Sequence, residues 1–235
     1  MKLLQITPAV SDSLQQLQQV VTDADIPSTT INAFDLALKG GWLMIILLIL
    51  LLLSVYVLIE RLLVLRDAGK EDDSFMNRIK DYIHEGKIDS AQALCKKTDT
   101  PSARMVEKGI SRLGRPMSDI TQAIENVGNI EISKLEKGLP LLATTAAGAP
   151  MIGFLGTVTG MVKAFMSMAN AGANVDVTHL STGIYEALIT TVGGLIVGII
   201  ALFAYNYLTT QIKGIVNKME MRLMEFMDIL NEPAV

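Results

Sequence analysis

Charge is scarce in this chain, and cysteine and histidine are nearly absent. Among its 235 residues are one cysteine, two histidines and one tryptophan; 5% are aromatic and 19% charged. Soluble domains carry about 25% charged residues. The single Cys95 excludes an internal disulfide framework. With His84 and His179 far apart, a structural zinc site has too few ligands. A net charge of −4 and a pI near 5.2 exclude the basic footprint of a nucleic-acid binder. No Walker lysine follows a glycine loop, and neither G-x-S-x-G nor H-E-x-x-H occurs. The chain is therefore expected not to be an enzyme and to carry no metal or cofactor.

What fills the gap is apolar. Half of the residues are hydrophobic and mean hydropathy is +0.41. Residues 42–59, 138–162 and 187–212 hold no charged side chain. Each run reaches or exceeds the roughly 18 apolar residues that mark a membrane span. The fold class expected is an all-α membrane protein with three transmembrane helices and long cytoplasmic helical extensions. Its parts are an exterior segment 1–41, span 42–65, a cytoplasmic helical domain 66–138, span 139–169, a turn 170–177, span 178–212 and a carboxyl-terminal helix 213–235. Residues 66–137 hold thirteen basic and thirteen acidic side chains, read mainly as solvated faces.

Flanking charges orient the spans. Arg61, Arg66 and Lys70 follow the first span, Lys213, Lys218 and Arg222 follow the third, and the turn after the second has no Lys or Arg. The positive-inside rule then puts the amino terminus outside and the carboxyl terminus in the cytoplasm. No signal peptide is expected, because the first apolar stretch breaks at Gln5. Leu14, Leu17 and Val21 recur at helical spacing, which fits a short helix at the membrane surface; a mobile tail is the other reading. Within 66–138, Phe75, Ile79 and Ile83 repeat at helical spacing, and Ala91, Leu94 and Cys95 resume the pattern after Glu85-Gly86-Lys87. Further helices follow Pro101 and Pro116, the latter seeded by Ser118 or Asp119.

The second and third spans differ from the Leu-rich first. Ala149, Gly153, Gly156 and Gly160 fall on one helix face, and Gly194 and Gly198 form a second small-residue face. Such faces let helices approach closely. Glu186 lies ten residues beyond Asp176, so about 15 Å along its helix, with no Lys or Arg nearby on that helix. A carboxylate at that depth marks a functional site by default. Thr157 and Thr191 are each about 20 Å from the turn. Thr190 lies about 40° from Glu186 around the helix and Thr191 about 140°, so geometry alone favours Thr190 as its neighbour. A hydroxyl-lined path is one reading; back-bonding of each threonine to its own helix is the other.

Two stretches carry a resemblance. Ala149-Pro-Met-Ile-Gly-Phe-Leu-Gly-Thr-Val-Thr-Gly160 and Gly183-Ile-Tyr-Glu-Ala-Leu-Ile-Thr-Thr-Val-Gly-Gly194 are similar to the ExbB/TolQ family of ion-driven motor proteins, closest to ExbB. Gly40-Gly41-Trp42-Leu-Met44, Ser54 and Glu60-Arg61 resemble that family's first span. The resemblance implies a homo-oligomeric ring, typically a pentamer, in the bacterial inner membrane. The ring would surround helices of an ExbD/TolR-type single-span partner. Proton flow would drive work on a TonB/TolA-type protein, for nutrient import or, in the TolQ-like alternative, envelope maintenance. By motif, Thr157, Thr191 and Glu186 correspond to the family's ion path, which assigns Thr191 its place. Thr190 stands where relatives commonly have alanine, and Ile45-Ile46 where many have a proline. A secondary transporter and a structural scaffold are the readings from other classes.

Overall fold

The computed structural model describes residues 41–70, 74–171 and 177–231. Every regular element among them is a helix: α1 Gly41–Ala68, α2 Phe75–His84, α3 Ile88–Thr98, α4 Pro101–Ile110, α5 Met117–Leu135, α6 Leu139–Ala171 and α7 Val177–Asn231. Three helical stretches, containing α1, α6 and α7, are long and apolar enough to cross a membrane. The expected surface helix near Leu14 and most of the turn 170–177 lie outside the described residues.

α1 is a near-continuous Leu/Ile run that no proline interrupts. It buries one stripe, Leu43, Leu47, Ser54, Val57, Arg61 and Leu65, at the spacing of a helix face. Trp42, Ile45, Leu48, Ile49, Leu52 and Tyr56 on its other sides are exposed. A face of that kind is stable against lipid, where the helix satisfies its own backbone polar groups. α6 runs through Pro150, whose ring lies where a side chain on Gly198 would stand.

α7 carries its apolar part on into a long extension. The third span and the carboxyl-terminal helix, divided at 212/213, form a single 55-residue helix. It is about 82 Å long at 1.5 Å per residue. Between Asn206 and Met221 there is no proline and one glycine, Gly214, and a lone helical glycine costs about 1 kcal/mol, too little to end a helix.

Outside the spans, α2 to α5 gather around the distal part of α7. Phe75, Met76, Ile79, Ala91, Cys95, Val106, Ile110 and Ile124 share a core with Met219, Phe226 and Ile229. Ile83 and Leu94, expected on the same stripes, pack at its edge. Burial pushes the Cys95 thiol up to about 12, with a smaller contribution from the Glu107 charge, so it is an inert core residue. The start of α4 follows its sequence: Thr100 is extended, its hydroxyl accepts from Ala103 N at 3.3 Å, and Pro101 opens the helix. The start of α5 does not. Pro116 takes the capping position, and Ser118 and Asp119 lie inside the first turn. There the Asp119 carboxylate favours the helix through its N-terminal dipole.

Two buried charges sit where this bundle meets the spans. Arg61, only 5% exposed, donates through Nη1 to Lys134 O at 2.9 Å and through Nη2 to Glu60 Oε1 at 2.5 Å. It ties α1 to the carbonyl-rich end of α5. One turn earlier on α5, buried Glu131 accepts from Arg104 Nη2 and Lys134 Nζ, both at 2.7 Å. Among the described residues of the block most charges are exposed, as expected, and Glu131 is the buried one.

Burial acts to raise the pKa of Glu131, but the hydrogen bonds from Arg104 and Lys134 outweigh it and hold the carboxyl below its ordinary value. A carboxyl depressed in the folded state stabilises the fold fully above its unfolded pKa of about 4.3, and that contribution is lost as pH falls through the folded value. Thermal unfolding of the detergent-solubilised protein should therefore steepen in its pH dependence below about pH 4. Glu131→Gln should flatten that slope; an unchanged slope would assign acid sensitivity to other groups.

Candidate ion pathway

The seam between α6 and α7 is built from small residues in register. A side chain on Gly153 would meet Thr190 O at 2.9 Å and Gly194 Cα at 3.2 Å. One on Gly194 would meet Ala149 O at 2.5 Å. Nearer the α6–α7 turn, Gly160 faces Ala187 and Gly183 faces Ala164, at 2.9 and 2.7 Å from the same test position. At the far end Gly198 faces Pro150. Only hydrogen atoms fit at these places, so the backbones touch over the whole stretch. Bulky side chains are displaced to the outer surfaces, where Phe154, Val158, Leu188 and Val192 are exposed.

The threonines distribute between the two alternatives left open by the sequence. Thr190 is 2% exposed, lies under Gly156, and donates to Ala187 O at 2.7 Å on its own helix. Its hydroxyl is thus enclosed in the seam, and the geometric preference for it as a partner of the Glu186 carboxylate gives way to helix–helix packing. Thr157 donates to Phe154 O at 2.6 Å and Thr159 to Leu155 O at 2.9 Å, both back-bonds within α6. Thr191 alone among these crosses the seam, donating to Gly153 O at 3.0 Å. Thr157 and Thr191 therefore address two consecutive carbonyls of α6, Phe154 and Gly153, which places their hydroxyls at one depth.

Glu186 is 30% exposed and has a cationic neighbour that its own helix does not supply. Lys163 of α6 brings its Nζ to 3.8 Å from Glu186 Oε1. The same oxygen lies so close to Gly41 that a methyl group there would collide with it. Gly41 has φ +68°, a conformation that glycine adopts without strain. The carboxylate thus joins three helices at the start of α1. Lys163 is the residue the sequence reading passed over. The charge-free run 138–162 stops one position short of it. Its signal was depth: Lys163 is seven residues before Asn170, about 10 Å along α6, within a lysine's reach of Glu186. The absence of Lys or Arg near Glu186 on its own helix stands; the cation comes from the neighbouring helix.

The arrangement has groups that can take up and release a proton. It offers a partly accessible carboxylate, an ammonium beside it and a hydroxyl pair further along the seam. Among the described residues no group of three or more His, Cys, Asp or Glu is placed to hold a metal ion.

Comparison with known proteins leads to the same membrane segment. Residues 97–221, which contain α6 and most of α7, match the MotA/TolQ/ExbB proton channel family. The chain is 32% identical over 222 residues to the Tol-Pal system protein TolQ of Haemophilus influenzae, covering 87% of this chain and 96% of that protein. It is 36% identical over 121 residues to a putative biopolymer transport protein ExbB homolog of Methanothermobacter thermautotrophicus, covering 52% of this chain but only 42% of that protein. The biopolymer transport protein ExbB of Xanthomonas campestris is 36% identical over 102 residues, 43% of this chain and 40% of its own length. Two of these three relatives thus extend well beyond the matched region, and this chain covers less than half of their length. With three apolar helices, a carboxylate set in the seam between two of them and a family match over more than half its length, the chain is a multi-pass membrane protein belonging to the MotA/TolQ/ExbB proton channel family.

Proposed function

We propose that this chain is the ring-forming subunit of a proton-driven motor in the bacterial inner membrane, with its amino terminus in the periplasm and its carboxyl terminus in the cytoplasm. The observation that carries the reading is Glu186, a carboxylate within the span region at the α6–α7 seam, followed along that seam by the level hydroxyls of Thr191 and Thr157. Five copies enclose the helix of an ExbD/TolR-type partner, and protons moving along Glu186, Thr191 and Thr157 change the charge of that partner. Thr190 adds a hydroxyl enclosed within the same seam rather than a station on the route.

Each elementary charge crossing about 100 mV releases about 2.3 kcal/mol. Mechanical work of several times that amount needs repeated transfers, which suits a ring of equivalent sites. A TonB/TolA-type protein receives the work. Nutrient import through an ExbB-type system is the first assignment. Envelope maintenance is the second, and one observation favours it: the TolQ relative aligns over nearly its full length. A secondary transporter fits less well, since matching halves with broken helices are its signature.

The test is proton flux in vesicles carrying the chain with its co-purified partner. A Glu186→Ala, Thr157→Val, Thr191→Val variant should lose flux by about tenfold or more, a barrier change of about 1.4 kcal/mol or above. Wild-type flux in that variant would remove these residues from the route. Growth on a scarce nutrient imported through the outer membrane, set against detergent sensitivity, then separates the two branches.

A further inference from the structure

The Glu186–Lys163 pair bears on which ion can use the site. Lys163 and Glu186 are the only Lys, Arg, Asp or Glu side chains in 138–175 and 177–212. They meet across the seam where Gly160 packs against Ala187 and Gly183 against Ala164. These small contacts bring the two backbones close enough for the ammonium to arrive at 3.8 Å from Oε1. Lys163 remains 62% exposed, so its stem runs along the outside of α6 and only its head turns to the carboxylate.

On another side Oε1 is crowded by the start of α1, while the Glu186 side chain as a whole stays 30% exposed. Gly41 stands so near that even a methyl group is excluded. Of the neighbouring seam hydroxyls, Thr190 is buried and donates to Ala187 O, and Thr191 donates to Gly153 O, so neither proton is directed at Oε1. A sodium or potassium ion shedding water at this carboxylate would need several oxygen ligands, as hard cations do. A tethered cation of the same charge already stands 3.8 Å from Oε1, and a second cation placed beside it is repelled at short range. A proton has neither requirement. It bonds directly to a carboxylate oxygen, needs no coordination shell, and leaves the ammonium free to turn towards water while the carboxyl is neutral.

We propose that Lys163 is the ion-selectivity residue of this pathway: its ammonium occupies the cation position at Glu186, so that protons pass there and alkali-metal cations do not. The proposal rests on the reading of Glu186 as part of the ion route. It assigns Lys163 a positioning role on the passing ion rather than a place in the chain of carriers.

The full chain, purified with its partner and reconstituted into liposomes, decides the matter when proton flux and radioactive sodium uptake are measured side by side. Wild type and Lys163→Arg should pass protons and no sodium. Lys163→Gln should take up sodium at least tenfold above empty liposomes, with sodium slowing its proton flux, and adding Glu186→Gln should abolish that uptake. Lys163→Met serves as the second variant if the glutamine form assembles poorly by size-exclusion chromatography. Assembled Lys163→Gln or Lys163→Met that still excludes sodium, or that loses flux of all ions, overturns the selectivity role. Wild-type proton flux in Glu186→Gln alone overturns instead the reading of Glu186 on which it stands.

Discussion

Gly194→Leu should eliminate the folded protein from the membrane fraction. Any side chain at that position starts 2.5 Å from Ala149 O and 2.9 Å from Gly153 Cα. Both are backbone atoms of a rigid helix, so no rotamer change relieves the overlap. Overpacking a well-filled interior costs about 1–3 kcal/mol when neighbours can adjust; here the adjustment available is separation of α6 from α7. Separation breaks the Thr191 hydrogen bond to Gly153 O and withdraws Lys163 from Glu186. Gly214→Ala is the control, because nothing lies within 4 Å of its added methyl. Comparing membrane-fraction yield and the amount of folded, detergent-extractable protein checks both. Equal amounts of the Gly194→Leu and Gly214→Ala proteins would show that the seam tolerates separation.

Phe226→Ala should destabilise the bundle outside the spans by about 3–5 kcal/mol, the usual range for deleting a buried phenylalanine. The ring is fully buried and lies beside Ile124 in the space that Gly109 leaves open. It is where α7 fastens to both α4 and α5. With the ring gone, the surrounding helices cannot collapse, since Gly109 has no side chain to move inward. Limited proteolysis and thermal unfolding of the solubilised protein measure the loss. Protease sites in α4 and the end of α7 should become accessible together, while the spans stay protected. A shift corresponding to under about 1 kcal/mol would mean that the cavity closes.

These two positions show what could be read in advance. Gly194 announced itself, because a glycine spaced four residues from another in an apolar run has few reasons other than close approach. Phe226 did not. It lies in a tail of mixed charge and methionine, and its partners, Gly109 and Ile124, are more than a hundred residues away in sequence. The spans were legible because lipid imposes one rule along their whole length. The packing of α2 to α5 depends on long-range pairings that periodicity does not encode. The same division runs through the site. Glu186 was visible as a charge out of place on its own helix, whereas Lys163 became its partner only once α6 and α7 were laid side by side. The angular argument for Thr190 treated one helix in isolation, and the neighbouring Gly156 decided where that hydroxyl goes.

The unbroken course of α7 has a mechanical consequence. Glu186 and Phe226 lie on one helix forty residues apart, a distance of about 60 Å. Among the described residues no proline or loop between them serves as a joint. A rod of that length acts as a lever: a tilt of about 5° at the carboxylate end carries the phenylalanine end sideways by about 5 Å. That is about one helical turn, enough to move a side chain from one groove of a packed bundle to the next. Charge changes within the membrane and rearrangements of the bundle beyond it are therefore two ends of the same stiff object.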